Sequence, residues 1–192
     1  GLKLLEYRGY DSWGIAAKIK DERLKIKDFV VEKHVGKIGT AGLNSRLSTF
    51  NSQLAIGHTR WATHGGITVA NAHPHMDCKK QIAVVHNGIV ENFQELKEDL
   101  IKKGHKFISQ TDTEVIPHLI EENLKHEGFS SSVRDSFNLL KGFNAVVVAN
   151  AVSKEIVAAK TGSPLVVGIK DQELLIASDA SAIVKHTKKV IF

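Results

Sequence analysis

Asn144-Ala145-Val146-Val147-Val148-Ala149-Asn150 opens a final stretch of the chain that is written in short apolar runs. Ile156 to Lys160, Leu165 to Ile169 and Leu174 to Ser178 follow it, separated by short turn-like stretches. Parallel strands need a crossover of roughly a dozen residues, so spacing this tight predicts antiparallel pairing. Upstream, Gly14 to Lys18, Leu54 to Thr59 and Ile82 to His86 read as further strands, and Leu24-Lys25-Ile26-Lys27 alternates as a half-buried strand should.

Helices lie between these strand blocks. Ile89, Phe93, Leu96 and Leu100 keep helical spacing, with Gly104 placed to end that helix. Thr111-Asp112-Thr113-Glu114 has N-cap chemistry for a second helix running through Leu124, with Pro117 tolerable near its first turn. Ser130 to Lys141 forms a third, closed by Gly142, and Ala41 to Leu47 a short one. Asp179 caps a final short helix. Thr63 to Lys80 is a long loop rich in Gly, His and Asn, a length usually kept for function. The expectation is one α+β domain over residues 1–192, cut at both ends. Gly1 to Tyr7 reads as the tail of a helix, and Val190-Ile191-Phe192 as an interrupted apolar segment.

Composition narrows the function. The 192 residues are 42% hydrophobic and 24% charged, ordinary for a globular domain. The net charge of +5 is spread over scattered lysine pairs with only 6% aromatic residues, so no nucleic-acid partner is expected. No apolar run approaches the ~18 residues of a membrane span, and no secretory h-region opens the chain. One cysteine, Cys78, excludes an intrachain disulfide framework and fits a cytoplasmic, reducing location.

Three constellations carry possible chemistry: Gly57 to Gly66 at the end of a strand, His86 to Asn92 at a strand-to-helix junction, and Gln110 to Glu114 at a helix start. Singly, each has a plain structural reading. Asn87-Gly88 makes a tight turn, Asp112 a cap and Arg60 a surface ion pair. Five histidines between residues 58 and 86 raise a metal reading on His73 and His75, with Asp77 and Cys78 as the extra candidates. No spacing there completes a familiar site, and no metal is expected. Cys78 lies among His73, His75 and Lys79-Lys80, which would lower a thiol pKa, yet a single cysteine in a globular domain is usually inert.

Taken jointly, the segments Leu5 to Ser12, Gly57 to Gly65, Asn71 to His75, His86 to Asn92, Thr111 to Val115 and Gly162 to Leu165 are more specific. In order and spacing the chain resembles the glutaminase domain of the glutamine–fructose-6-phosphate aminotransferases. These are class II glutamine amidotransferases of the N-terminal-nucleophile hydrolase superfamily. The resemblance implies a four-layer αββα sandwich of two antiparallel sheets and the hydrolysis of L-glutamine to glutamate and ammonia without a cofactor. It implies an oxyanion hole at Asn87 and Gly88, with substrate binding by Arg60, Trp61, Thr63, His64, Gly88 and Asp112. Arg60 would take the α-carboxylate and Asp112 the α-ammonium, while Trp61 to Gly65 would fold over the substrate. For His58 and His86 a buried hydrogen-bonding role is expected. The nucleophile would be an N-terminal cysteine ahead of Gly1, its α-amine serving as base. Sugar isomerase domains would follow, supply fructose 6-phosphate as ammonia acceptor, and form a homodimer. The glutaminase module of an amidophosphoribosyltransferase-like enzyme and a non-catalytic glutamine-binding module remain alternatives.

Overall fold

The computed structural model describes residues 1–20, 28–39 and 52–191. The strand expected at residues 24–27 and the short helix expected at 41–47 lie outside the described residues. A 3-10 turn, Leu2–Arg8, leads into β1 (Ser12–Ile19), β2 (Val30–Val35), β3 (Ser52–Arg60), β4 (His75–Met76) and β5 (Ile82–Gly88). Helices α1 (Phe93–Lys102), α2 (Val115–Asn123) and α3 (Phe129–Asn138) come next. They are followed by β6 (Asn144–Asn150), β7 (Ile156–Lys160), β8 (Val166–Lys170), β9 (Glu173–Ala177) and β10 (Lys189–Ile191).

Every described strand pair is antiparallel. The order is β4-β5-β6-β7 in one sheet, β2-β1-β3 in a second and β10-β8-β9 in a third. The tight hairpin spacing of the final stretch therefore holds for β6-β7 and β8-β9, with the chain changing sheets between β7 and β8.

Period-two alternation decides what each face of the four-stranded sheet meets. Ile82, Val84, Val146 and Val148 point to the helices, where they join Leu100, Ile116, Ile120 and Val133. Their neighbours Ala83, Val85, Val147 and Ala149 point the other way, onto Ala16, Leu54 and Ile56 of the β1–β3 sheet. Burying each larger aliphatic side chain contributes about 1.5–3 kcal/mol, which is what clamps the layers. On the far side of the β1–β3 sheet, the Leu2 side chain lies against Gly57. The layers are thus helices, sheet, sheet and, among the described residues, a 3-10 turn in the fourth.

Gly104, with φ +93, ends α1 as expected, whereas α3 stops at Asn138 and Gly142 (φ +98) lies beyond it, where a Cβ would meet the Ile89 carbonyl oxygen at 2.6 Å. The N-cap expectation at Thr111 fails, because its side chain makes no cap bond. Glu114 instead reaches back to the N–H groups of Ile108 (2.9 Å) and Ser109 (2.7 Å), holding the approach to α2. At the C-terminal end, Asp179 does cap, accepting from the N–H of Ser181 at 2.7 Å.

Candidate active site

β3 and β5 run side by side in facing sheets, and their C-terminal ends deliver Arg60 and Asn87-Gly88 to one place. A cleft of about 360 Å³ opens there. Its lining includes Arg60, Trp61, Thr63, Asn87, Gly88 and Asp112, so six of the seven expected site residues converge. That volume lies at the small end of ordinary ligand pockets.

The exception is His64. Its ring packs edge-on against Phe93, with centroids 5.6 Å apart, outside the cleft. Its carbonyl contributes instead, accepting from the Arg60 guanidinium together with the carbonyls of Gly65 and Gly66. Arg60 is 4% exposed, and burial pulls its pKa down against the opposing pull of Asp11 and Asp112. The 64–66 loop is further held by Asn71, whose Nδ2 donates to the Gly66 carbonyl at 2.9 Å. The Asn71 Oδ1 accepts from the N–H of Gln110 at 2.9 Å. Trp61 is exposed and leans on Tyr10, with ring centroids 5.7 Å apart.

Buried histidines position the opposite wall. His58 and Asn87 meet at 2.9 Å between Nε2 and Oδ1. Burial drives the His58 pKa down to about 4, so the ring is neutral and its Nε2–H donates. The Asn87 carbonyl oxygen is thereby turned to His58, leaving the amide N–H groups as donors to the cleft. His86 bridges three segments, with Nε2 at 2.9 Å from the Asn144 Oδ1 and Nδ1 at 2.9 Å from the Thr113 hydroxyl. Burial lowers its pKa as well. Both histidines thus hydrogen-bond as expected, His86 fully buried and His58 partly so.

Gly88 sits at φ +138. A Cβ there would lie 2.3 Å from the Phe143 carbonyl oxygen, so the position accepts only glycine without backbone movement. Gly14 is constrained similarly, a Cβ landing 2.4 Å from the His73 carbonyl oxygen. Asp112 is buried, and its Oδ2 accepts from the N–H of Val90 at 2.8 Å, tying the start of the α2 segment to the turn after β5.

Sequence reasoning did not pick out Arg8, Thr111, Ser163 and Ser178 as cleft-lining residues. Of these, Arg8 donates to the Ser178 carbonyl at 2.9 Å and so joins the two ends of the described chain. Nor did the grouping of Cys78 with His73 and His75 survive. The His75 Nε2 is bonded to Thr111 at 3.0 Å and His73 stacks on His58 at 4.3 Å, while Cys78 faces His105 and His118. Its pKa is raised by burial, opposite to the lowering expected from its neighbours in sequence.

Residues 13–191 match a family model described as a glutamine amidotransferase domain. The chain belongs to that family. It is 46% identical over 195 residues to the glutamine–fructose-6-phosphate aminotransferase [isomerizing] of Methanococcus maripaludis, covering 98% of this chain and 31% of that protein. It is 47% identical over 194 residues to the enzyme of the same name from Pyrococcus horikoshii, covering 100% of this chain and 31% of that one. The amidotransferase domain spans about a third of the curated relatives it matches. Among solved structures, the glutamine phosphoribosylpyrophosphate amidotransferase of B. subtilis aligns at 27% identity with a TM-score of 0.77. It covers 94% of this chain and 38% of that one. A structure titled as the allosteric regulatory enzyme of purine biosynthesis aligns at 28% identity with a TM-score of 0.78, covering 95% and 38%. No helix among the described residues is long and apolar enough to cross a membrane.

Proposed function

We propose that this amidotransferase domain binds L-glutamine in the cleft and hydrolyses its side-chain amide to glutamate and ammonia. The observation that carries the reading is the pairing of Arg60 and Asp112 in one cleft with Asn87 and Gly88. A free amino acid presents a carboxylate and an ammonium. A guanidinium grips the first with two parallel bonds, and a carboxylate takes the second. The reacting amide then extends toward Asn87 and Gly88, whose N–H groups hold the oxyanion of the tetrahedral intermediate. Trp61 and Thr63 cover the bound substrate and exclude water.

The nucleophile in this proposal is a cysteine at a mature N-terminus ahead of Gly1. Its α-amine has an ordinary pKa of ~7.7–8.0 and serves as the base. The thiolate attacks the amide carbon, ammonia leaves with the proton the base has taken, and water hydrolyses the thioester to glutamate. A slot in the fold supports that entry route. β3 and β9 are edge strands among the described residues, and an apolar cavity between them is lined by Ala55, Val85, Val147 and Ile176. It shares Leu5, Gly57, Val85 and Ala177 with the glutamine cleft, so a strand laid in the slot would end at the oxyanion donors.

In the intact enzyme we assign the ammonia to fructose 6-phosphate, giving glucosamine 6-phosphate. The support is identity of 46–47% to enzymes of that name, against 27% to the phosphoribosylpyrophosphate enzyme. By the same resemblance the isomerase domains lie downstream and the enzyme is a cytoplasmic homodimer. The test is glutamate release and amino-sugar formation by the intact protein and by Arg60→Ala. Losing a charge-assisted pair of ~1.5–3 kcal/mol should raise the glutamine KM about 10- to 150-fold. An unchanged KM in a folded Arg60→Ala protein overturns the binding mode. Glutaminase activity without amino-sugar product overturns only the acceptor.

A further inference from the structure

We propose that Cys78, His105, His118 and Glu121 form a closed, structural Zn²⁺ site, separate from the glutamine cleft. None of the four lines that cleft. They come from three places in the chain: the turn between β4 and β5, the segment after α1, and one face of α2, where His118 and Glu121 are three residues apart.

The geometry is that of a coordination shell. The Cys78 Sγ lies 3.6 Å from the Nδ1 of His105 and 3.6 Å from the Nδ1 of His118. The two Nδ1 atoms are 3.2 Å apart. The Glu121 Oε2 is 3.2 Å from the His105 Nδ1 and 3.6 Å from the His118 Nδ1. All four ligand atoms lie within 4.8 Å of one another. Tetrahedral ligands at Zn–N and Zn–O of ~2.0–2.1 Å and Zn–S of ~2.3 Å stand about 3.3–3.6 Å from each other. The five separations, 3.2–3.6 Å, bracket that range.

Hydrogen bonding accounts for part of this convergence, since the Glu121 Oε2 accepts from the Cys78 N–H at 3.1 Å. The His105 Nε2 is 2.8 Å from the Glu122 Oε1, and its Nδ1 faces the cluster. A thiol, a second imidazole and a carboxylate aim at the same point, and the His118 Nε2 is buried with no partner. A cation resolves this crowding of acceptors. The Glu122–His105 bond is the outer-shell carboxylate that commonly orients a metal-bound histidine. One thiolate, two imidazoles and one carboxylate suit Zn²⁺, and four protein ligands leave no open position for chemistry. Cys78 is exposed, which provides the path for entry. The ion would staple the β4–β5 turn to α2 and to the segment that follows α1.

The test is metal titration of the intact protein after removal of bound metal with a chelator. Co²⁺ serves as the spectroscopic probe for the thiolate. Wild type should develop a thiolate-to-cobalt charge-transfer band that saturates at one equivalent, is bleached by Zn²⁺, and is missing in Cys78→Ser. Zn²⁺ should also raise the melting temperature of metal-free wild type and leave that of Cys78→Ser unmoved. Glu122→Gln should keep the band and weaken Zn²⁺ affinity about 10- to 100-fold. Absence of the band in wild type, an equal band in Cys78→Ser, or a melting temperature indifferent to Zn²⁺ overturns the proposal. Cys78 is an exposed residue, so its serine variant is expected to fold. The wild-type titration stands without any variant.

Discussion

Asp112 has two jobs that a pair of substitutions separates. Its Oδ2 accepts the N–H of Val90 at 2.8 Å, and Val90 is 0% exposed, so that donor has no water to turn to. Its negative charge is the partner assigned to the glutamine ammonium. Asp112→Asn keeps an oxygen for Val90 and removes the charge. The lost charge-assisted bond, ~1.5–3 kcal/mol, should raise the glutamine KM about 10- to 150-fold, with stability within about 1 kcal/mol of wild type. Asp112→Ala removes both. A buried N–H left without an acceptor costs ~1–3 kcal/mol, and a domain of this size melts about 2–4 °C lower per kcal/mol. Glutamate release as a function of glutamine concentration, with thermal melting on the same samples, reads both quantities. The reasoning is refuted if Asp112→Asn leaves KM within twofold of wild type, or if Asp112→Ala melts with wild type.

Three other outcomes follow from the site. Gly88→Ala forces a Cβ to 2.3 Å from the Phe143 carbonyl oxygen at φ +138, and should cost ~3 kcal/mol or more together with glutaminase activity. Wild-type melting in that variant would contradict the register of β5 against β6. Asn87→Ala should lower kcat by ~10²–10³ while changing KM little, as expected of an oxyanion donor, and a KM effect alone would reassign the residue to binding. Acid should destabilise the domain through its buried neutral histidines. His58 is held at about 4, and burial pushes His73, His75 and His86 the same way. The unfolded chain protonates them near ~6.5, so their stabilisation is complete above that pH and is lost as pH falls from about 6.5 toward 4. For His58 alone this is on the order of 3 kcal/mol, visible as a falling urea midpoint between pH 7.5 and 5. A flat midpoint across that range would mean that these rings are not buried neutral.

Local grammar was legible where one physical rule acts within a few residues. The apolar runs at 82–86 and 144–150 were read correctly as strands, and the structure buries both their faces, one on the helices and one on the β1–β3 sheet. Gly104 marked the end of α1 because glycine takes positive φ without strain, whereas Gly142 lies past the end of α3 at Asn138. The rule failed at Thr111-Asp112-Thr113-Glu114, which carries cap residues in cap spacing. There the Asp112 carboxylate serves a partner 22 residues upstream and Glu114 serves the preceding loop, since buried N–H groups of Val90 and Ser109 need acceptors more than the helix start does. Cys78 failed for the same reason. Its neighbours in sequence are His73, which lines the cleft, and His75, which bonds Thr111, while its neighbours in space are histidines 27 and 40 residues away.

The sequence by itself determined most of the strands, the three main helices, the antiparallel hairpins and the family, because period, turn chemistry and motif spacing are properties of short stretches; β2 and β4 were not legible in it. Tertiary structure alone decided which of those stretches meet. The burial of Ala83, Val85, Val147 and Ala149 against Ala16, Leu54 and Ile56 sets β5 opposite β3, while the other face of the sheet packs on the helices, and together these bring Arg60, Asn87 and Asp112 into one cleft. The same packing carries Cys78 to His105, His118 and Glu121 and turns His64 away from the site. Such convergences follow from hydrophobic burial, which acts over the whole molecule and leaves no mark in the spacing of the residues it unites.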